Sequence, residues 1–190
     1  MIDTRRRTFV AWKFVGAFIL VGLATASTGM ARATEIIPSL GITKSTDTGA
    51  GDAQGFGGLA VRAALLPFLK LEGGIAYRQD SFADGDLKVH QWPVTASLWL
   101  APFPIVYAGG GVGWYYTTLD YSASVPFEDS TKNKMGVHLG GGANVPIAPR
   151  LGLDLNGRYI FMQKDDSNLQ VPTTFDPDFW TLALGLAITF

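Results

Sequence analysis

The chain has 190 residues, which by size is one domain. Apolar side chains make up 47% of it and charged ones only 16%, below the roughly 25% of soluble domains. It has no cysteine, which excludes disulfides and Cys-based zinc sites, and only two histidines, His90 and His138, too few for a His-rich metal centre. Its net charge of −1 argues against a nucleic-acid binder, which normally carries a basic face.

In chain order, residues 1–33 read as a cleaved signal peptide. Arg5, Arg6, Arg7 and Lys13 precede an apolar run from Phe14 to Ala26, and Ala31-Arg32-Ala33 predicts cleavage before Thr34. The run falls short of the roughly 20 residues of a helical span. The stretch Arg6-Arg7-Thr8-Phe9-Val10 also resembles a twin-arginine signal. Removing residues 1–33 takes away five Lys/Arg and one Asp, and residues 34–190 keep 10 basic and 15 acidic side chains.

From residue 34 onward nothing predicts a helical span. Alternation at period two recurs instead, and predicts strands over 36–45, 55–66, 69–80, 88–100, 105–118, 134–146, 151–163 and 178–190. The connectors alternate in kind. Leu66-Pro67-Phe68, Ala101-Pro102-Phe103-Pro104 and Ile147-Ala148-Pro149-Arg150 are short and carry proline. Those at 46–54, 81–87, 119–133 and 164–177 are longer, polar and acidic. Short turns at one end and long loops at the other mark a transmembrane barrel, and an even strand count returns the chain to the side where it began.

The strand faces point the same way. Trp180, Leu182, Leu184, Leu186, Ile188 and Phe190 share one face of the last strand, opposite Thr181, Ala183, Gly185, Ala187 and Thr189. In the seventh, Leu151, Leu153, Leu155, Tyr159 and Phe161 oppose Asp154, Asn156 and Arg158. The apolar face suits lipid, and the small polar face suits a narrow interior. Gly109-Gly110-Gly111 blurs the register of the fifth strand. Tyr77, Trp92, Trp114, Tyr116, Tyr159, Phe161 and Trp180 fall near the long-loop ends and Phe68, Phe103 and Phe190 near the short turns, the arrangement of two interfacial aromatic belts. The expected fold is therefore an all-β, eight-stranded antiparallel up-and-down transmembrane barrel over residues 34–190.

Eight strands enclose an interior that side chains just fill. Alternation turns Arg62, Lys70, Glu72, Arg78, His138, Asp154, Asn156 and Arg158 inward, with Arg62 and Glu72 at similar depth on neighbouring strands, where they are expected to pair. These groups are expected to form an electrostatic plug; a narrow ion path along them is the alternative.

Tyr107-Ala108-Gly109-Gly110-Gly111-Val112-Gly113-Trp114-Tyr115-Tyr116 resembles the fifth-strand signature of small outer-membrane β-barrels of the OmpA-like and opacity-protein-like group. Leu139-Gly140-Gly141-Gly142-Ala143-Asn144-Val145-Pro146, Arg158-Tyr159 and Gly185-Leu186-Ala187-Ile188-Thr189-Phe190 resemble the strands that follow. The terminal Phe190 is similar to the signal read by the barrel-assembly machinery. The resemblance implies a Gram-negative outer-membrane location, contact with lipid and lipopolysaccharide, and no cofactor. Members of the group serve as envelope anchors, adhesins, immune-evasion factors and narrow channels. The chain ends at Phe190 with no peptidoglycan-binding domain after the barrel, so wall tethering is not expected.

The expected role is structural or surface-interacting, with an unidentified surface partner. A narrow porin-like channel or apolar-solute conduit is the runner-up, and a lipid A-modifying enzyme stands behind that. Deacylation needs a serine activated by a histidine. Ser97 lies seven residues from His90, roughly 23 Å along a strand, which excludes that pair. Other combinations are His90 with Ser81 and His138 with Ser122 or Ser124, but a structural lumen role fits His138 better. No catalytic, cofactor or metal residues are assigned. Asp84-Gly85-Asp86 and Lys164-Asp165-Asp166 are candidates for holding divalent cations beside lipopolysaccharide phosphates, too short and incomplete for an EF-hand loop.

Overall fold

The computed structural model describes residues 34–46, 52–82, 87–121, 130–163 and 178–190. The signal peptide at 1–33, both candidate cation loops, Ser122 and Ser124 lie outside them. So do Asp47, Glu128, Asp129 and Asp176 of the acidic connectors.

The strands are β1 Thr34–Ser45, β2 Gln54–Leu66, β3 Leu69–Phe82, β4 Leu87–Leu100, β5 Val106–Tyr121, β6 Ser130–Ala148, β7 Leu151–Met162 and β8 Phe179–Thr189. Each pairs antiparallel with its chain neighbours, and β1 pairs with β8 to close the barrel. Closure leaves no sheet edge along the paired strands, which a backbone in hydrocarbon requires. The register fixes the stagger. Glu35, Arg62, Glu72, Ser97, Gly111, His138, Ile160 and Phe179 are successive partners around the barrel, and Phe179 pairs with Ser45, ten residues along β1 from the start. A stagger of ten over eight strands tilts them by roughly 40°.

Several strands outrun the alternation that predicts them. β6 extends to Ser130 and Ala148 because it stays paired with β5 up to Leu119↔Ser130. The third short connector thereby shrinks to Pro149-Arg150, where Arg150 adopts φ 65°. Prolines inside strands coincide with interrupted ladders, since proline has no N–H to donate. The β1–β8 pairing skips from Ile36↔Ile188 to Ser39↔Gly185 at Pro38, and β3–β4 skips from Ile75↔Val94 to Arg78↔Gln91 at Pro93. Both prolines keep their pairing on the other side, to Leu59 and Tyr115. Pro146 lies at a bulge between β6 and β7.

The side chains are distributed inside out. Leu40, Leu139 and Leu184 are 74%, 63% and 52% exposed on the outer face, whereas Arg62, Glu72 and Asp154 are buried. An apolar exterior that runs around the whole barrel is solvated by lipid, not water.

Candidate functional site

The barrel interior concentrates the polar chemistry. Arg62 on β2 donates from Nε to Glu72 Oε2 on β3 and from Nη1 to Asp154 Oδ2 on β7, both at 2.8 Å, and from Nη2 to the Tyr107 hydroxyl on β5 at 3.2 Å. Glu35 Oε2 on β1 lies 3.6 Å from Arg62 Nη1. One guanidinium thus joins five strands. The other Glu72 oxygen accepts from Arg158 Nη2 at 2.6 Å, and Arg158 Nε donates to Asn156 Oδ1 at 2.6 Å. The Tyr107 hydroxyl donates to Asp154 Oδ1 at 2.8 Å and accepts from Asn156 Nδ2 at 3.1 Å. Lys70 reaches Glu35 Oε1 at 3.2 Å. Arg62, Lys70 and Arg158 face Glu35, Glu72 and Asp154, so the circuit balances its charge, as buried ions must.

Glycine rows let these side chains meet. Trp99 pairs with Gly109, Gly109 with Gly140 and Gly140 with Arg158, and across the two glycines the Arg158 guanidinium lies 5.2 Å from the Trp99 ring centroid. One row further, Tyr107, Gly142 and Asn156 are partners, and the phenol reaches Asn156 over Gly142. Ser97, Gly111 and His138 form a third row, in which Ser97 Oγ and His138 Nε2 are 2.9 Å apart. The blurred glycine run of the fifth strand is thus the passage for interior side chains.

His138 is buried and, among the described residues, only half satisfied: its Nδ1 has no hydrogen-bond partner there. Among the described residues its serine is Ser97; the Ser122 and Ser124 weighed from sequence lie outside them. The Ser97 and His138 side chains both face the lumen, away from lipid. His90 instead points outward and bonds the Tyr77 hydroxyl at 2.6 Å.

Arg78 stands apart from the circuit, toward the long-loop end. It donates to Gln91 Oε1 at 2.7 Å and to Thr43 Oγ1 at 3.0 Å, and its guanidinium lies 3.6 Å from the Phe179 ring centroid. With Tyr115, Ile160 and Met162, Phe179 forms a buried apolar tier. Between this tier and the charged circuit is a cavity of about 100 Å³.

Sequence reading left Tyr107, Gln91, Thr43 and Glu35 out of the interior network and weighed Ser97 with His90 and not with His138. Tyr107 was findable by stepping alternation back from an outward Trp114, and Glu35 precedes the expected start of the first strand. On the outside, Tyr77, Trp92, Trp114 and Tyr159 are exposed and Trp180 half-buried, and Tyr77 packs on Trp92 with centroids 4.8 Å apart. Phe68, Phe103 and Phe190 are exposed at the short-turn end.

A lipid-facing antiparallel barrel of eight strands around a charged interior defines a small transmembrane barrel of the outer membrane. The chain belongs to the outer membrane protein beta-barrel domain family, whose model matches residues 15–190. Its fold is similar to that of Ail, the attachment invasion locus protein of Yersinia pestis, with 17% identity over 85% of this chain and 100% of that one and a TM-score of 0.57. Neisserial surface protein A shows 16% identity over 83% of this chain and 99% of that one, with a TM-score of 0.62. OprG of Pseudomonas aeruginosa shows 14% identity over 84% and 96%, with a TM-score of 0.62. At these identities the likeness is one of fold. A comparison with curated proteins finds no match.

Proposed function

We propose that this outer-membrane barrel has a structural or surface-interaction role and that its plugged interior does not conduct. The observation that carries the reading is the Arg62 guanidinium, which crosses the lumen to bond Glu72, Asp154 and Tyr107. An open aqueous path would have to break bonds among desolvated charges, at a cost of several kcal/mol. The second reading, a narrow channel or apolar-solute conduit, is favoured by the cavity beside this circuit. Purified protein in planar bilayers tests the two. Silence supports the plug, and discrete conductance steps that persist at low voltage overturn it.

The partners follow from the surface. Lipid and lipopolysaccharide meet the outer face, with Tyr77, Trp92, Trp114, Tyr159 and Trp180 as interfacial anchors. Phe190 serves the barrel-assembly machinery as an assembly signal. Ail has been solved in complex with the heparin analogue sucrose octasulfate, which makes a sulfated or phosphorylated saccharide a reasonable probe for this chain too. Enzymatic deacylation is disfavoured because Ser97 and His138 are enclosed in the lumen, with no acidic group among the described residues on Nδ1 to orient the imidazole. Overproduction should leave the mass of lipid A unchanged.

A further inference from the structure

The cavity between the charged circuit and the apolar tier carries an inference of its own. Its wall includes two of the circuit's three carboxylates, Glu72 and Asp154, but Arg62 and Arg158 occupy both oxygens of Glu72, and Arg62 and Tyr107 occupy those of Asp154. What the wall still offers is donors. Arg158 uses Nε and Nη2 within the circuit, and among the described residues its Nη1 has no partner. The His138 ring also lines the cavity, although Ser97, to which it is bonded, does not.

The tautomer of His138 follows from counting partners. If Nε2 carried the proton, the Ser97 hydroxyl hydrogen and the Nδ1 lone pair would both go unmatched. If Ser97 donates to Nε2, only the Nδ1–H remains, a donor left without an acceptor. The Tyr115, Thr95 and Thr181 hydroxyls line the same space, and Ile160 and Phe179 supply an apolar side.

We propose that this cavity is a binding site for a small carboxylate of acetate size. The carboxylate is held by Arg158 and His138 Nδ1–H and accepts from the Tyr115 or Thr181 hydroxyl, and its alkyl end packs toward Phe179 and Ile160. Size supports the assignment: a cavity of about 150 Å³ holds benzene, so one of about 100 Å³ takes roughly four non-hydrogen atoms. Charge supports it as well, because each oxygen of Glu72 and Asp154 already accepts from Arg62, Arg158 or Tyr107, and the groups of the wall left without a partner among the described residues are donors. The site does not depend on whether the lumen conducts.

The test is nitrogen NMR of the imidazoles in refolded, detergent-solubilised protein titrated with sodium acetate. The chain has two histidines, and His90→Gln assigns the signals. The free protein should show His138 with its proton on Nδ1, and acetate should shift that signal saturably in the millimolar range. Tyr115→Phe and Thr181→Val, which keep size and remove one hydroxyl each, report on the same site. At least one should weaken binding about tenfold, the loss expected for a hydrogen bond to a charged group. A signal unmoved by acetate at tens of millimolar overturns the site. So does a shift that sodium chloride reproduces at equal ionic strength, or one that both variants leave unchanged.

Discussion

Arg62 is the residue on which most of the interior converges, and its loss is not a matter of one bond. Replacement by alanine leaves Glu72 with Arg158 alone and strips the buried Asp154 of its cation. Arg62→Ala should therefore cost about 3–5 kcal/mol in urea unfolding from lipid vesicles. A loss under 1 kcal/mol would mean that solvent reaches the circuit. Tyr107→Phe keeps the ring and removes a hydroxyl that serves Arg62, Asp154 and Asn156. It should cost about 1–3 kcal/mol, the range for leaving buried polar groups short of a partner. Neither change touches the outer face, so both variants should still insert.

At the level of strands, the β5–β6 glycines and the short turns make separate predictions. A Cβ at Gly111 would collide with the Ala96 carbonyl and come 2.7 Å from Ser97 Cα. Gly111→Ala should push β4 from β5, part Ser97 from His138 and cost about 1–3 kcal/mol as an overpacked site. Arg150 is the opposite case. It follows Pro149 in a tight turn at φ 65°, a conformation that costs a side-chain-bearing residue about 1–2 kcal/mol. Its carbonyl accepts from Thr189 N at 2.9 Å, a bond glycine can also make. Arg150→Gly should gain up to about 1 kcal/mol once the extra freedom of unfolded glycine is subtracted; a measured loss would show that the arginine side chain itself holds the turn.

The same elements show how far the sequence could be read. Leu182, Leu184 and Leu186 fix the outward face of β8 because period two leaves no other register with a continuous apolar side. Asp154, Asn156 and Arg158 follow on β7 for the same reason. Which inward groups touch was harder to see. Ser97 and His138 are 41 residues apart, and their contact depends on a stagger that local alternation does not encode. Trp99 and Tyr107 carry no assigned side from sequence, and Gly109, Gly110 and Gly111, which follow Tyr107, have no side chain to mark a face of the fifth strand. The ends of β6 also escaped, because pairing with β5 carries the strand past the point where its own pattern fades.

For the molecule as a whole, the question is whether the ion circuit specifies the barrel or only fills it. The backbone ladder runs through all eight strands and exposed leucines lie on the outer wall, and neither feature involves the side chains of Arg62, Glu72, Asp154 or Arg158. Buried ion networks replaced together by apolar groups of similar volume are often neutral or stabilising, whereas removing one member is not. Combined Arg62→Met, Glu72→Met, Asp154→Leu and Arg158→Met should therefore still give a barrel that resists unheated detergent and shifts in mobility on boiling, with stability equal to or above that of the parent. Its interior would lose the Arg158 donor that faces the cavity while keeping His138 and the stagger set by the backbone. Failure of this variant to fold into vesicles, with Arg150→Gly and Tyr107→Phe folding normally beside it, would assign the circuit a part in specifying the barrel and not merely in closing it.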